Sequence, residues 1–330
     1  MTAPAPRFAP LDELIGSIRQ IVEGGGRIAC LAHKDADADS LGSSLGFALS
    51  LLEMGKNVVA VVPEPMPMLL AYLPGYELVE TAVPEFDALF TFDCASVGRF
   101  GEKRTMIESG RPVVNVDHHL SNEGFGSINL VDATASATGQ VVHALLCELG
   151  APITPAVANN LYAALFTDTG GFRHENTNEE ALRLGATLVA HGADAGWIAR
   201  KSYQSRPLAQ VRLEALAVGR MHTEAGARLI WSEVTQDMLR ETTADMQMSE
   251  GVIDQLQSID TMQIAVLFKE SADGLTKVSV RTRDQYDATA LCTPFRGGGH
   301  YRAAGAEIRA GLADAREQVL TIARQLLERP

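Results

Sequence analysis

His33-Lys34-Asp35-Ala36-Asp37-Ala38-Asp39-Ser40-Leu41-Gly42-Ser43 packs three carboxylates and an imidazole into one short stretch. The apolar run 28–32 leads into it, and an apolar helical pattern from Leu41 to Leu52 leads out. The stretch is therefore read as a turn between a strand and a helix. Charge at this density needs neutralising, and a bound cation does so economically. The question for the rest of the chain is whether it supplies further ligands and a substrate site.

Working outward, 11–21 has helical spacing and stops at Gly24-Gly25-Gly26, and strand one covers 27–32. The helix after the turn runs to about Met54, with Gly55 as its stop. Residues 57–62 form a nearly continuous apolar run, as in a strand buried on both faces. A proline-rich loop follows at 63–74. A third strand, 87–92, ends on Asp93, and a fourth, 112–116, ends on Asp117-His118-His119. Helices are expected over 136–149 and 155–166, the second leading into Asp168 and a Gly170-Gly171 turn. Strands alternating with helices predict a doubly wound parallel sheet.

Helical patterns over 179–190 and 195–219 lead away from this unit. The texture then changes: strands are expected at 228–232, 263–268, 276–282 and 306–310, and helices near 237–240, 250–257 and 314–327. The expected organisation is a catalytic domain over 1–190, a helical linker over 191–222 and a smaller α/β domain over 223–330. A chain of 330 residues is long for one core and fits two.

Composition excludes several classes. The apolar fraction of 46% fits packed globular structure, yet no stretch approaches the roughly 18–20 apolar residues of a membrane span. Residues 1–10 are proline-rich and lack the apolar core of a signal peptide, so a ragged end and a cytoplasmic location are expected. Cys30, Cys94, Cys147 and Cys292 form no CxxC pair, which suits reduced thiols. A net charge of −13 disfavours a grip on long duplex nucleic acid, which needs a basic surface, and leaves room for a small anionic ligand.

Three strands thus end in candidate ligands: His33, Asp37 and Asp39; Asp93; and Asp117, His118 and His119. In an open α/β sheet such groups converge outside the carboxyl ends of the strands. A lone aspartate at a strand end is ordinarily a helix cap or turn residue. Several such clusters meeting at one edge are better explained by metal binding. Carboxylate and imidazole donors without thiolates suit Mn²⁺, with Mg²⁺ or another divalent ion as the alternative. The carboxylates are too many for one ion, so two are expected, with centrally placed Asp93 bridging them.

His33-x-Asp35-x-Asp37-x-Asp39-x-x-Gly42-Ser43, Asp93, Asp117-His118-His119 and Asp168 together resemble the four motifs of the DHH phosphoesterase superfamily. Gly297-Gly298-Gly299-His300, followed by Ala303-Ala304-Gly305, resembles the signature of its DHHA1 domain. The likeness spans about residues 12–325 and is greatest to stand-alone proteins of the nano-RNase/pAp phosphatase and cyclic-dinucleotide phosphodiesterase group. It implies one metal on His33, Asp37 and Asp93 and a second on Asp39, Asp93, His118 and Asp168. His119 would face the scissile phosphate and Asp117 would orient an imidazole. The family's usual Asn-Pro is Asp35-Ala36 here, which keeps every ligand and leaves Asp35 to cap the turn or alter metal preference.

In the second half, the glycines permit close backbone approach, and consecutive N–H groups can form an anion nest. A triple glycine by itself is as well explained as a flexible turn. By resemblance, Arg281 and His300, with Arg302 less securely, bind a base, sugar or terminal phosphate across a cleft between the domains. The expected function is metal-dependent hydrolysis of short RNA oligonucleotides, linear dinucleotides such as pApA, and pAp. The alternative is a cyclic di-AMP phosphodiesterase. RecJ-like exonuclease action on single-stranded DNA is disfavoured by charge, and a non-catalytic nucleotide-binding regulator by the full complement of ligand types. Homodimer formation is left open.

Overall fold

In a computed structural model, which describes residues 8–328, the chain divides into two units, 1–205 and 206–330. Most of the expected irregular N-terminal segment, residues 1–7, lies outside the described residues. The first unit runs α1 (Leu11–Glu23), β1 (Ile28–Leu31), α2 (Ala38–Glu53), β2 (Val58–Val61), β3 (Val79–Glu80) and β4 (Ala88–Phe92). It continues through α3 (Arg104–Ile107), β5 (Val113–Asp117), β6 (Ile128–Val131), α4 (Thr138–Leu149), α5 (Pro155–Asp168), α6 (Glu179–Ala190) and α7 (Ala195–Tyr203).

Its six strands pair in the order β3-β2-β1-β4-β5-β6, all parallel. Alternation along β1 explains why the run reads as continuously apolar. Ile28 and Cys30 enter the core shared with α2, α4 and α5, while Ala29 and Leu31 enter a smaller one with Phe100 and Met106. Both faces are covered, so polar alternation has no place. The short outer strands β3 and β6 escaped the sequence pattern: β3 has two residues, and only Leu130 of β6 is buried.

Chain order reverses between β1 and β4, which makes the crevice beyond their carboxyl ends the switch point of the sheet. Register then decides what lies there. Leu31 pairs with Thr91 and Phe92 with Val116. Continuing those ladders places His33, Asp93 and Asp117 in one row across three strands. α2 is buried nearly all round and packs closely on α5; a Cβ on Gly42 would lie 2.7 Å from the Asn160 carbonyl oxygen.

The second unit runs α8 (Leu208–Gly219), β7 (His222–Glu224), β8 (Leu229–Val234), α9 (Gln236–Thr242), α10 (Glu250–Gln257), β9 (Ile264–Glu270) and β10 (Thr276–Thr282). α11 (Thr289–Cys292), β11 (Gly298–His300), β12 (Ala303–Ile308) and α12 (Leu312–Glu328) complete it. Its sheet is mixed, in the order β11-β12-β10-β9-β8-β7, with one core against α12 and another against α8, α9 and α10.

The helix expected over 195–219 is two helices. Pro207 sits at the N-cap of α8, where its fixed φ and missing N–H end one helix and start the next. α7 packs on α5 in the first unit and α8 belongs to the second, so the segment expected to be a linker is shared between them.

Candidate metal centre

Every candidate ligand of the first unit lies at one edge of its sheet. Asp37 is the N-cap of α2: one carboxylate oxygen accepts the Ser40 N–H at 2.9 Å, and the other lies 3.8 Å from His33 Nε2. Asp39, one residue into that helix, is buried and accepts the N–H groups of Thr138 at 2.7 Å and Gly139 at 2.9 Å. It therefore sits on the positive end of α4. The ordinary reading of a strand-end aspartate as a cap thus holds for both residues, and each still faces an imidazole.

Asp93 is central. One of its oxygens lies 3.6 Å from His33 Nε2; the other lies 3.5 Å from His118 Nε2 and accepts the Thr138 hydroxyl at 2.9 Å. Its backbone is left-handed, with φ 58°, a conformation that costs roughly 1–3 kcal/mol in a non-glycine residue and clusters at functional sites. Its N–H still donates to the Val116 carbonyl at 3.0 Å, so the sheet holds the strained residue in place. Asp35 is also left-handed, with φ 55°, which suits a turn aspartate; it is not a member of the donor clusters found among the described residues.

His118 Nδ1 bonds the Ala135 carbonyl at 3.1 Å, which turns Nε2 toward three carboxylates, those of Asp39, Asp93 and Asp168, at 3.5–3.7 Å. Asp168 closes α5 and is steadied by Asn176, whose amide donates to its backbone carbonyl at 3.2 Å and its carboxylate at 3.4 Å. His119 Nδ1 donates to the fully buried Asp117 at 2.7 Å. The other Asp117 oxygen accepts from Asn122 at 2.5 Å, Asn122 accepts from Asn115, and Asn115 from Thr91. Asn122, Thr138, Asn176 and the cross-strand pair Thr91 on β4 and Asn115 on β5 carry no motif, and sequence reading missed them.

The donor atoms of His33, Asp37 and Asp93 lie within 4.8 Å of one another, as do those of Asp39, His118 and Asp168. Separations of 3.5–3.8 Å between imidazole nitrogen and carboxylate oxygen exceed an ordinary hydrogen bond. Two donors sharing a cation at about 2.1 Å each stand roughly 3.0–3.4 Å apart, so the observed spacing fits a cation between them after slight contraction. The donor chemistry fits as well: hard oxygens and imidazoles, with no thiolate in either set.

Electrostatics point the same way. Burial, reinforced by Asp93 and Asp168, pushes the Asp39 carboxyl well above its usual range. Burial likewise raises Asp168, to about 6. Burial opposes ionisation of Asp93 too, but His33, His119 and His118 together hold it well below the usual carboxylate range. Burial would lower His118, yet Asp168, Asp93, Asp39 and Asp117 raise it to about 10. His119 is raised as well, chiefly by Asp117 working against burial. Without an added cation, the protonated His118 imidazole supplies positive charge to the cluster.

The substrate candidates of the second unit are arranged differently from expectation. Gly298–His300 is the short strand β11, paired with β12, and not a loop. A Cβ on Gly297 would stand 2.3 Å from the Gly305 oxygen, and one on Gly299 2.4 Å from the Ala303 oxygen. Those two glycines are therefore demanded by the neighbouring strand, whereas Gly298 faces open space. Arg281, on β10, donates to its neighbour's carbonyl, that of Val280, at 3.1 Å. Arg302 bonds the carbonyls of Asp284 and Tyr286 and stacks on Tyr301, which gives it a loop-holding part whatever else it binds.

A family model described as "DHH family, N-terminal domain" matches residues 27–165, and one for the DHHA1 domain matches 227–329. A bifunctional oligoribonuclease and PAP phosphatase, NrnA of Thermus thermophilus, is 31% identical over 99% of this chain and 98% of its own length. The chain belongs to the DHH–DHHA1 phosphoesterases. NrnA of Bacillus subtilis is 26% identical over 84% of the chain and 87% of its own. The crystal structure of an exopolyphosphatase-related protein from Bacteroides fragilis superposes with a TM-score of 0.86, covers 98% of both chains, and at 24% identity shares the fold. No helix among the described residues of this DHH–DHHA1 chain is long and apolar enough to cross a membrane.

Proposed function

We propose that the chain hydrolyses short RNA oligonucleotides and linear dinucleotides such as pApA, and removes phosphate from pAp, using two divalent cations, Mn²⁺ foremost. The observation that carries this reading is the Asp93 carboxylate, which turns one oxygen to His33 and the other to His118. His33, Asp37 and Asp93 would hold one ion, and Asp39, Asp93, His118 and Asp168 the other. Bound there, such ions lower the pKa of water and neutralise charge on phosphoryl oxygens. Asp117 keeps the proton of His119 on Nδ1, so Nε2 is the nitrogen left to meet the phosphate or exchange a proton. The substrate class is supported by the printed activity of the Thermus relative.

A product-resolved assay with Mn²⁺ on pApA, pAp, longer RNA and DNA oligomers and cyclic di-AMP tests it. Mononucleotides released fastest from pApA and short RNA are expected. Equal rates on long polymers would overturn the small-substrate reading, and preferred cleavage of cyclic di-AMP would replace it with the cyclic-dinucleotide activity. For the second unit, Arg281→Ala is expected to raise KM by 10-fold or more, with a smaller fall in kcat, if its guanidinium holds a phosphate. An unchanged KM in steady-state kinetics on pApA removes Arg281 from the substrate site.

Metal uptake is expected to be pH-dependent with a defined sign. With His118 raised to about 10, its imidazole carries a proton at pH 7 and must lose it to become a ligand. Apparent metal affinity therefore rises with pH across the neutral range. Calorimetry of Mn²⁺ binding in two buffers of different ionisation enthalpy should show proton release at pH 7. No buffer dependence would mean that His118 does not become a ligand.

A further inference from the structure

Arg99 stands outside every motif discussed so far, yet its guanidinium reaches the centre. Its Nη2 lies 3.1 Å from His33 Nε2 and 3.3 Å from Nδ1 of the same ring, so the guanidinium rests against the imidazole and not on the outward axis of either nitrogen. His33 Nδ1 already donates to the Lys34 carbonyl at 2.8 Å, so Nε2 is the nitrogen left to meet a ligand. That is the nitrogen turned toward Asp37 and Asp93. A guanidinium therefore stands beside the ring whose Nε2 faces the proposed cation site.

The backbone of Arg99 is well anchored. Its carbonyl accepts the Lys34 N–H at 2.8 Å, tying the segment Val97–Lys103 to the turn that bears the ligands. The next residue, Phe100, is fully buried and packs edge-on against Phe125. Arg99 itself is exposed and follows Gly98, around which there is open space. A long, solvated side chain on a fixed backbone can change partner without disturbing the fold.

A guanidinium beside a divalent ion is repelled unless an anion lies between them. A phosphoryl group is such an anion, and the planar fork of arginine matches its oxygens. We propose that Arg99 is a phosphate-binding residue of this centre: its guanidinium rests against the His33 ring, beside the proposed cation site, and grips a phosphoryl oxygen of the metal-bound ligand. This rests on the metal phosphoesterase reading above.

The test compares wild type, Arg99→Ala and Arg99→Lys by two binding measurements that need no turnover. Free Mn²⁺ is followed by electron paramagnetic resonance, and AMP or inorganic phosphate binding to the Mn²⁺-loaded protein by calorimetry. Arg99→Ala should bind Mn²⁺ at least as tightly as wild type, because a nearby positive charge is gone, and AMP and phosphate at least 10-fold more weakly. Arg99→Lys, a point charge without the fork, should recover part of the anion affinity and keeps the test decisive should the alanine variant fail to fold. Anion affinity equal to wild type in the variants overturns the proposal, as does loss of Mn²⁺ binding in them. Wild type that binds neither Mn²⁺ nor phosphate would instead sink the metal phosphoesterase reading itself.

Discussion

Asp93→Asn is expected to leave the fold intact and to reduce turnover on pApA by about four orders of magnitude or more, with metal stoichiometry falling from two toward zero. The substitution is nearly isosteric, and asparagine tolerates the left-handed backbone at φ 58° better than most residues. The Thr138 hydroxyl keeps an acceptor if the amide oxygen turns toward it. What disappears is a negative charge that faces His33 at 3.6 Å and His118 at 3.5 Å from its two oxygens. An amide can present an oxygen to only one of those sides. Elemental analysis of the purified variant together with steady-state kinetics checks the prediction; retention of two ions per chain and of full activity would falsify a bridging role for Asp93.

Asp117→Asn separates the histidine from the metals. The carboxylate is fully buried and holds the Nδ1 proton of His119 at 2.7 Å, while its second oxygen accepts from the Asn122 amide at 2.5 Å. Three donors face that carboxylate, the His119 Nδ1–H and the His118 N–H on one oxygen and the Asn122 amide on the other, so the NH₂ of an asparagine must meet at least one of them. If it meets Asn122, two amide donors collide; if it meets His119, the imidazole is driven into the other tautomer. kcat should fall by about 10²–10⁴-fold, comparable to the loss when an orienting carboxylate is neutralised in a hydrolase triad, while KM changes little. Stability should fall by about 1–3 kcal/mol, because one buried donor is left without an acceptor. Mn²⁺ stoichiometry should stay at two, since Asp117 is not among the proposed ligands. Metal content, denaturant melts and kinetics on one preparation distinguish this outcome from simple unfolding.

Much of the candidate metal centre was legible because two simple rules act together. Apolar runs that end abruptly on Asp or His mark strand ends, and a parallel sheet gathers its strand ends at one edge. His33, Asp93 and Asp117-His118-His119 follow from those rules, and Asp168 from the end of a helical pattern. The residues that hold the ligands were not legible. Asn122 and Asn176 look like loop asparagines, Thr138 like the start of a helix, and Arg99 like a surface charge. Arg99 and Thr138 meet partners 66 and 45 residues away, Asn176 steadies Asp168 from 8 residues along the chain, and Asn122 acts through a buried network.

The same limit explains the misread elements. Pro207 was visible, but helical spacing on both sides of it hid the break between α7 and α8. The glycines 297–299 were legible as a place of close approach. What approaches two of them is β12, as a strand partner.

By itself, then, the amino-acid sequence determined the class of sheet, the family and the set of ionisable groups at the strand ends, because periodicity and residue chemistry are local properties. Tertiary structure alone decided how those groups face one another. The parallel register puts His33, Asp93 and Asp117 in one row, and the left-handed bend at Asp93 turns its carboxylate to both imidazole sets. The start of α4 meets Asp39, and the anchored backbone of Arg99 lets its guanidinium reach His33. Each of these depends on distant segments meeting through space, and no local pattern in the chain encodes such a meeting.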